Sequence, residues 1–133
     1  MGTSKSAERV RVAIVEDDEL VAHALSAMIE GAGCTASAIV STYEEAIALL
    51  EGGERCDIAF VDLRLGGKET GADIAQRAVR LGIAVVVMTG SAVLPEGLSG
   101  AALLMKPFSV DQVQTLLHQL RVLPAQCAIT DKA

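Results

Sequence analysis

Five short apolar runs are spaced along the chain, and most of them are continuous rather than alternating with polar residues. The runs are Val10–Val15, Thr35–Val40, Ile58–Val61, Ile83–Met88 and Ala101–Met105. Continuous runs of this length, rich in β-branched residues, are typical of parallel strands that are buried on both faces. The pattern therefore predicts five buried β-strands.

Between and after these runs, apolar residues recur at helical spacing. The residues expected to begin these helices are Asp18, Thr42 with Glu45, Thr70 with Asp73, and Ser109, and those expected to end them are Gly31, Gly52-Gly53, Gly82 and Pro124. Alternating strands and helices predict an α/β fold built on a parallel sheet. Right-handed crossovers place the helices on both faces of that sheet.

The chain of 133 residues is the size of one domain. We expect a disordered N-terminal segment over residues 1–9, because it is polar and has no periodicity. The folded domain is predicted over residues 10–122, followed by a C-terminal tail over residues 123–133.

Polar side chains stand where four of the predicted strands end. Glu16-Asp17-Asp18 follows the first strand, Asp62 the third, Thr89 the fourth and Lys106-Pro107 the fifth. Ligands bind at the carboxyl ends of the strands in open α/β sheets, so these groups should meet at one edge. Crowded carboxylates are stabilised by a hard divalent cation such as Mg²⁺, and Lys106 and Thr89 could contact a phosphoryl group.

Composition narrows the possible functions further. The formal net charge is −6, which disfavours binding to nucleic acid or to anionic lipid. No apolar run is long enough to span a membrane, and the first residues lack the apolar core of a signal peptide. The three cysteines Cys34, Cys56 and Cys127 are widely spaced, as expected of free thiols in a cytoplasmic protein.

Four segments, VAIVEDDELV, IAFVDLRLGG, VVVMTGS and LLMKPF, together resemble the response-regulator receiver family, typified by the bacterial chemotaxis receiver. They span Val12 to Phe108. The resemblance implies a flavodoxin-like receiver fold, that is, a doubly wound, five-stranded parallel sheet of order 2-1-3-4-5. The sequence is also similar to a subgroup of stand-alone receivers in alphaproteobacteria.

The same resemblance implies a role for each residue at the strand ends. Asp62 would be the phosphoacceptor, Thr89 the switch hydroxyl, and Lys106 the cation that contacts the acceptor and then the phosphate. Mg²⁺ would be held by Asp17, by Asp62, by the backbone carbonyl of Arg64 and, mostly through water, by Glu16. The Lys106-Pro107 peptide would be cis.

The sequence departs from the family in two places that bear on output. The position three residues before the conserved lysine, usually aromatic, is Leu103. Lys106 lies only 17 positions after Thr89, and the segment between them contains Pro95, Gly97 and Gly100. Because proline and glycine disfavour helix, we expect the family's fourth helix to be short or absent.

Two functions remain open on these residues. The first is a single-domain response regulator that is phosphorylated by a sensor histidine kinase and signals through a downstream protein or a histidine phosphotransferase, as a monomer or homodimer. It would have no enzyme activity beyond its own phosphorylation and dephosphorylation. The second is a pseudo-receiver, an interaction domain that does not use phosphate. A two-aspartate phosphatase and a dinucleotide-binding domain are disfavoured because their motifs are missing.

Overall fold

The computed structural model describes residues 9–91 and 93–120. Its centre is a parallel sheet in which the strands lie in the order β2-β1-β3-β4-β5. The strands are β1 (Arg11–Val15), β2 (Thr35–Val40), β3 (Ile58–Asp62), β4 (Ala84–Thr89) and β5 (Ala102–Met105). The predicted fold and strand order are confirmed, and each strand bound differs from its prediction by at most one residue.

Helices cover both faces of the sheet. They are α1 (Glu19–Gly31), α2 (Tyr43–Glu51), α3 (Gly71–Arg80) and α4, which occupies residues 110–120 within the part of the chain that the structure describes. Helices α1 and α4 pack on one face, where Leu25, Ile29, Val113 and Leu117 are buried with Phe60. Helices α2 and α3 pack on the other face.

Side-chain caps begin three of the four helices in the described residues. Asp18 accepts hydrogen bonds from the amides of Leu20 and Val21, and Thr42 accepts one from the amide of Glu45. At α4, Ser109 and Gln112 each accept a hydrogen bond from the other's backbone amide, which completes a capping box. Local sequence therefore defines these helix starts.

The predicted cap at Thr70 is wrong. Thr70 has helical backbone angles and makes no side-chain capping bond. Asp73, its expected partner, instead accepts hydrogen bonds from the Tyr43 hydroxyl at 2.6 Å and from Arg77 Nε at 2.9 Å. This network joins α2 to α3, so a tertiary contact has replaced the local cap.

The segment between β4 and β5 contains turns and no helix in its described residues, 90–91 and 93–101. The family's fourth helix would lie in this segment, before α4. The prediction that it is short or absent is therefore confirmed. Leu98 from this segment is fully buried and packs in the same core as Ile74 and Ala78 of α3. One anchored leucine thus fills core space on this side of the sheet.

The disordered segment predicted over residues 1–9 lies outside the described residues except for Arg9, and the tail predicted over residues 123–133 lies outside them entirely, with Pro124 and Cys127. Residues 121 and 122, the end of the predicted domain, also lie outside them. Arg9 is described and exposed. Among the described residues, no helix has both the length and the apolar character needed to cross a membrane.

We predict that Leu98→Ala lowers the free energy of unfolding by about 2–4 kcal/mol, because it leaves a cavity under a segment whose described residues form no helix. Urea denaturation followed by circular dichroism measures this loss. The matched control is Val93→Ala in the same segment, where the side chain is 75% exposed and the expected change is below about 0.5 kcal/mol. Equal effects at the two positions would contradict the anchoring role of Leu98.

Candidate functional site

Four of the side chains predicted at the strand ends meet at one edge of the sheet. The Lys106 ammonium lies 2.9 Å from Oε1 of Glu16 and 3.0 Å from Oδ2 of Asp62. Carboxylate oxygens of Glu16, Asp17 and Asp62 all lie within 4.8 Å of one another. The parallel strands β1, β3 and β5 therefore deliver three acids and one cation to a single cluster.

Two acids of this cluster are buried. Glu16 is 1% exposed and Asp62 is 6% exposed. Burial raises the pKa of Glu16 to about 7, although hydrogen bonds from Lys106 and from the Asp18 amide act in the opposite direction. The remaining oxygen of Asp62, Oδ1, accepts a hydrogen bond from the Arg64 amide at 3.0 Å. Both carboxylates are thus held by donors on either side.

Lys106 is positioned by the end of the sheet. Its amide donates to the carbonyl of Thr89 at 2.8 Å, and the Lys106-Pro107 peptide is cis, as predicted. Burial alone would lower the pKa of Lys106, but its hydrogen bonds to Glu16 and Asp62 outweigh burial and raise it. The side chain is therefore a charged ammonium, and it lies between two acids.

Asp17 is exposed and contacts a turn that was not predicted from the sequence. The Gly66 amide donates a hydrogen bond to Oδ2 of Asp17 at 2.8 Å. Gly66 and Gly67 both have positive φ, and Leu65 and Lys68 on either side exchange two backbone hydrogen bonds. These are the features of a two-residue type I′ turn. The Gly-Gly pair between the strand and the helix is the sequence pattern that could have predicted it.

Thr89 and Arg64 lie beside the cluster, since the Thr89 carbonyl accepts from the Lys106 amide and the Arg64 amide donates to Asp62. The Thr89 hydroxyl accepts a hydrogen bond from the Ser91 amide at 3.1 Å, and both residues line a cavity of about 410 Å³. Arg64 lines the same cavity, and its guanidinium contacts Glu69 and the Gly67 carbonyl. The role predicted for the Arg64 carbonyl stays a prediction.

Leu103 lies in β5, opposite Val87 of β4, and is partly buried. The position that is usually aromatic in the family thus carries an aliphatic side chain within the sheet. A leucine has neither a hydroxyl group nor a flat ring, so it cannot form the hydrogen bonds or the stacking contacts that an aromatic residue could.

Gly71, the first residue of α3, packs directly against the strand end that carries Asp62. A Cβ atom at this position would lie 2.0 Å from the Asp62 carbonyl oxygen and 2.6 Å from the Leu63 Cα. The Gly71 amide also donates to the Leu63 carbonyl at 3.1 Å. Because only glycine fits here, the start of α3 helps to fix the backbone at Asp62.

The donor set fits Mg²⁺. Glu16, Asp17 and Asp62 supply hard oxygen ligands that converge within 4.8 Å. Three acids face one ammonium in this cluster, so a divalent cation would reduce the remaining repulsion. Asp18 does not belong to the converging group, and its carboxylate caps α1, as predicted.

The response regulator receiver domain family matches this chain over residues 12–118. Among solved structures, a receiver domain protein (CheY-like) from Methanospirillum hungatei JF-1 is similar at 25% identity and a TM-score of 0.73, over 90% of this chain and 99% of that chain. SdrG from Sphingomonas melonis Fr1 is similar at 30% identity and a TM-score of 0.72, over 84% and 96%. No curated protein sequence matches this chain significantly.

The response regulator PhyR from Brucella abortus is a longer similar protein. It is 25% identical with a TM-score of 0.78, and the match covers 97% of this chain but 55% of PhyR. This chain therefore corresponds in fold to about half of PhyR.

We predict that, in EDTA, the free energy of unfolding falls as pH rises from about 4.5 to about 7, because of Glu16. Its pKa is raised in the folded state, so the folded chain binds more protons than the unfolded chain in this window. Urea denaturation at several pH values should show a fall of about 1–3 kcal/mol that is missing in Glu16→Gln. Parallel profiles for wild type and variant would contradict this.

We predict that Gly71→Ala destabilises the fold by about 1–3 kcal/mol, because the methyl group forces the backbone at Asp62 and Leu63 to move. Urea denaturation measures the loss. Gly31→Ala in α1 is the matched control, because its Cβ would meet only Gln114 Nε2, at 3.6 Å. The control should be neutral or slightly stabilised, since alanine favours helix. An unchanged Gly71→Ala would contradict the close contact.

Proposed function

The chain belongs to the response regulator receiver domain family, and on that premise we propose that it is a phosphorylation switch. In this proposal Asp62 accepts a phosphoryl group from a sensor histidine kinase, and the domain acts as a single-domain response regulator. The observation that carries the proposal is the contact of Lys106 with both Glu16 and Asp62 at the edge of the sheet.

Asp62 has the position and environment that a nucleophilic carboxylate needs. It ends the central strand β3. Its oxygen Oδ1 accepts a hydrogen bond from the Arg64 amide, and Oδ2 accepts one from the Lys106 ammonium. Its side chain is almost completely buried, so few directions of approach are left to a donor. Phosphoryl transfer depends mainly on such positioning and on charge stabilisation.

In the proposed step, an oxygen of Asp62 forms a bond to phosphorus while the bond from phosphorus to the donor imidazole nitrogen breaks. Lys106 stabilises the negative charge on the acceptor and then on the phosphoryl oxygens. The Thr89 hydroxyl, on the same edge, donates a hydrogen bond to the phosphoryl group. Mg²⁺, held by Glu16, Asp17, Asp62 and the Arg64 carbonyl, would supply charge neutralisation.

Phosphorylation would add about −1.5 to −2 charges to a site that already contains three acids, and this change would shift the loops at the edge. With Leu103 in β5, the shift cannot be transmitted by an aromatic side chain. We propose that output proceeds through contact with a downstream protein or through phosphotransfer to a histidine phosphotransferase. Beyond its own phosphorylation and dephosphorylation, the domain would have no enzyme activity.

The proposed setting is the cytoplasm, with the domain acting as a monomer or a homodimer. The net charge of −6 supports binding to other proteins rather than to nucleic acid or to a membrane. The thiol of Cys56, which forms no disulfide, suits a reducing compartment.

The second candidate is a pseudo-receiver that binds partners without phosphate. The observation that favours it is Leu103, because a domain that no longer signals by phosphorylation does not need an aromatic switch residue. The intact cluster of Glu16, Asp17, Asp62 and Lys106 opposes it, since buried acids are costly to keep without a use for them.

We predict that incubation with acetyl phosphate and Mg²⁺ adds one phosphoryl mass to the intact chain. The mass gain should disappear in Asp62→Asn and in EDTA, since the transfer needs the carboxylate and the cation. Intact-protein mass spectrometry measures the mass gain. Asp57→Asn, which removes an acid outside the cluster, is the control and should keep the gain.

Each outcome separates the two candidates. A gain that depends on Asp62 and on Mg²⁺ supports the switch. Absence of a gain from both acetyl phosphate and a panel of phosphorylated histidine kinases, in a folded protein, would favour the pseudo-receiver. A gain that persists in Asp62→Asn would show that another residue accepts the group.

A further inference from the structure

The Gly-Gly turn between β3 and α3 contacts the most exposed acid of the cluster. The Gly66 amide donates to Oδ2 of Asp17 across 49 residues of sequence, at 2.8 Å. Asp17 otherwise stands on the surface, next to the buried Glu16. The turn thus provides a hydrogen bond from a second segment of the chain to a carboxylate that follows β1 and is exposed.

The turn has a defined shape. Leu65 and Lys68 exchange backbone hydrogen bonds of 2.7 and 3.0 Å, and between them Gly66 and Gly67 have φ of +59° and +79°. Leu65 is buried in the core between the sheet and α3, so one side of the turn is anchored. Residues with a Cβ are strained at these φ values, whereas glycine adopts them readily.

We propose that this turn is the positioning element of the cation site: the Gly66 amide holds the Asp17 carboxylate in place for Mg²⁺. The inference rests on the proposed function in taking Asp17 as a cation ligand. It assigns to the backbone of residues 65–68 a role in setting the affinity of the site.

The physical reason is electrostatic. Asp17 lies near the carboxylates of Glu16 and Asp62, and repulsion between like charges would turn its side chain outward to water. The Gly66 amide opposes this by holding one oxygen, Oδ2, while no described residue donates a hydrogen bond to Oδ1, which can bind a cation. A ligand that is held in place before binding loses less freedom when the cation binds, so the affinity is higher.

The test substitutes Gly67, which shapes the turn without itself donating to Asp17. Gly53, at the end of α2, is the matched control: its φ is +80°, and at both positions a Cβ would meet nothing within 4 Å. Ala and Val at the two sites therefore introduce similar strain in different places. Gly67→Asn is the conservative variant, because asparagine tolerates positive φ better than other residues do.

The measurement is isothermal titration with MgCl2 alone, without a phosphodonor, and the fold of each variant is checked by circular dichroism. We expect Gly67→Val to weaken Mg²⁺ binding by about tenfold and Gly67→Ala by about threefold, with Gly67→Asn and both Gly53 variants within about twofold of wild type. If Gly67→Val does not fold, the Mg²⁺ affinity of Gly67→Ala is compared with that of Gly53→Ala, and this comparison tests the role of the turn. In NMR spectra, Mg²⁺ should shift the Gly66 amide of the wild type.

The outcomes separate this inference from the proposed function. Mg²⁺ binding that disappears in Asp17→Asn but is unchanged in the Gly67 variants would overturn the role of the turn and leave the cation site standing. Tighter binding in Gly67→Val would also overturn it, since the amide would then compete with the cation. A wild type that binds no Mg²⁺, or binds it equally in Asp17→Asn, would overturn both the inference and the proposed cation site.

Discussion

The ion pairs of Lys106 with Glu16 and Asp62 are the interaction on which the functional edge of this domain depends. Two carboxylates that are almost fully buried would repel each other and would lack hydration. One ammonium at 2.9 and 3.0 Å compensates both. Because Lys106 reaches them from β5, on the far side of β4, the arrangement exists only when the sheet has its complete order. The chemistry of the site and the topology of the fold are therefore specified together.

Much of this arrangement could be predicted because it depends on strand ends. Continuous apolar runs define the strands, and parallel strands bring their carboxyl ends to one edge, so Glu16, Asp62 and Lys106 had to meet once their runs were identified. The same holds for the caps at Asp18 and Ser109, where a side chain bonds to a backbone amide within its own turn. In each case the signal and the contact lie close together in the sequence, or the sheet connects them.

The features that the sequence did not reveal depend on contacts between distant segments. Thr70 has the pattern of a capping residue, yet Asp73 bonds to Tyr43 of the neighbouring helix instead. Gly71 looks like an ordinary helix-start residue until its packing against the Asp62 carbonyl is seen. The Gly66 amide reaches Asp17 only because β1 and β3 are neighbours. Such contacts depend on how segments distant in the sequence approach each other in the fold, which residue spacing does not encode.

The contacts of the loops around the site bear on how the domain could transmit a signal. Between β4 and β5 the described residues, 90–91 and 93–101, form turns around the buried Leu98 and no helix. Leu103 is aliphatic, so the described part of this segment and β5 offer neither a helix to displace nor an aromatic switch. The loop after β3, in contrast, contains a turn whose Gly66 amide bonds directly to Asp17 of the cluster. A change of charge at Asp62 acts through Coulomb forces, which are strongest on the nearest polar contacts. The β3–α3 loop, which holds Asp62 by the Arg64 amide and Asp17 by the Gly66 amide, is therefore the part of the molecule that such a change reaches first.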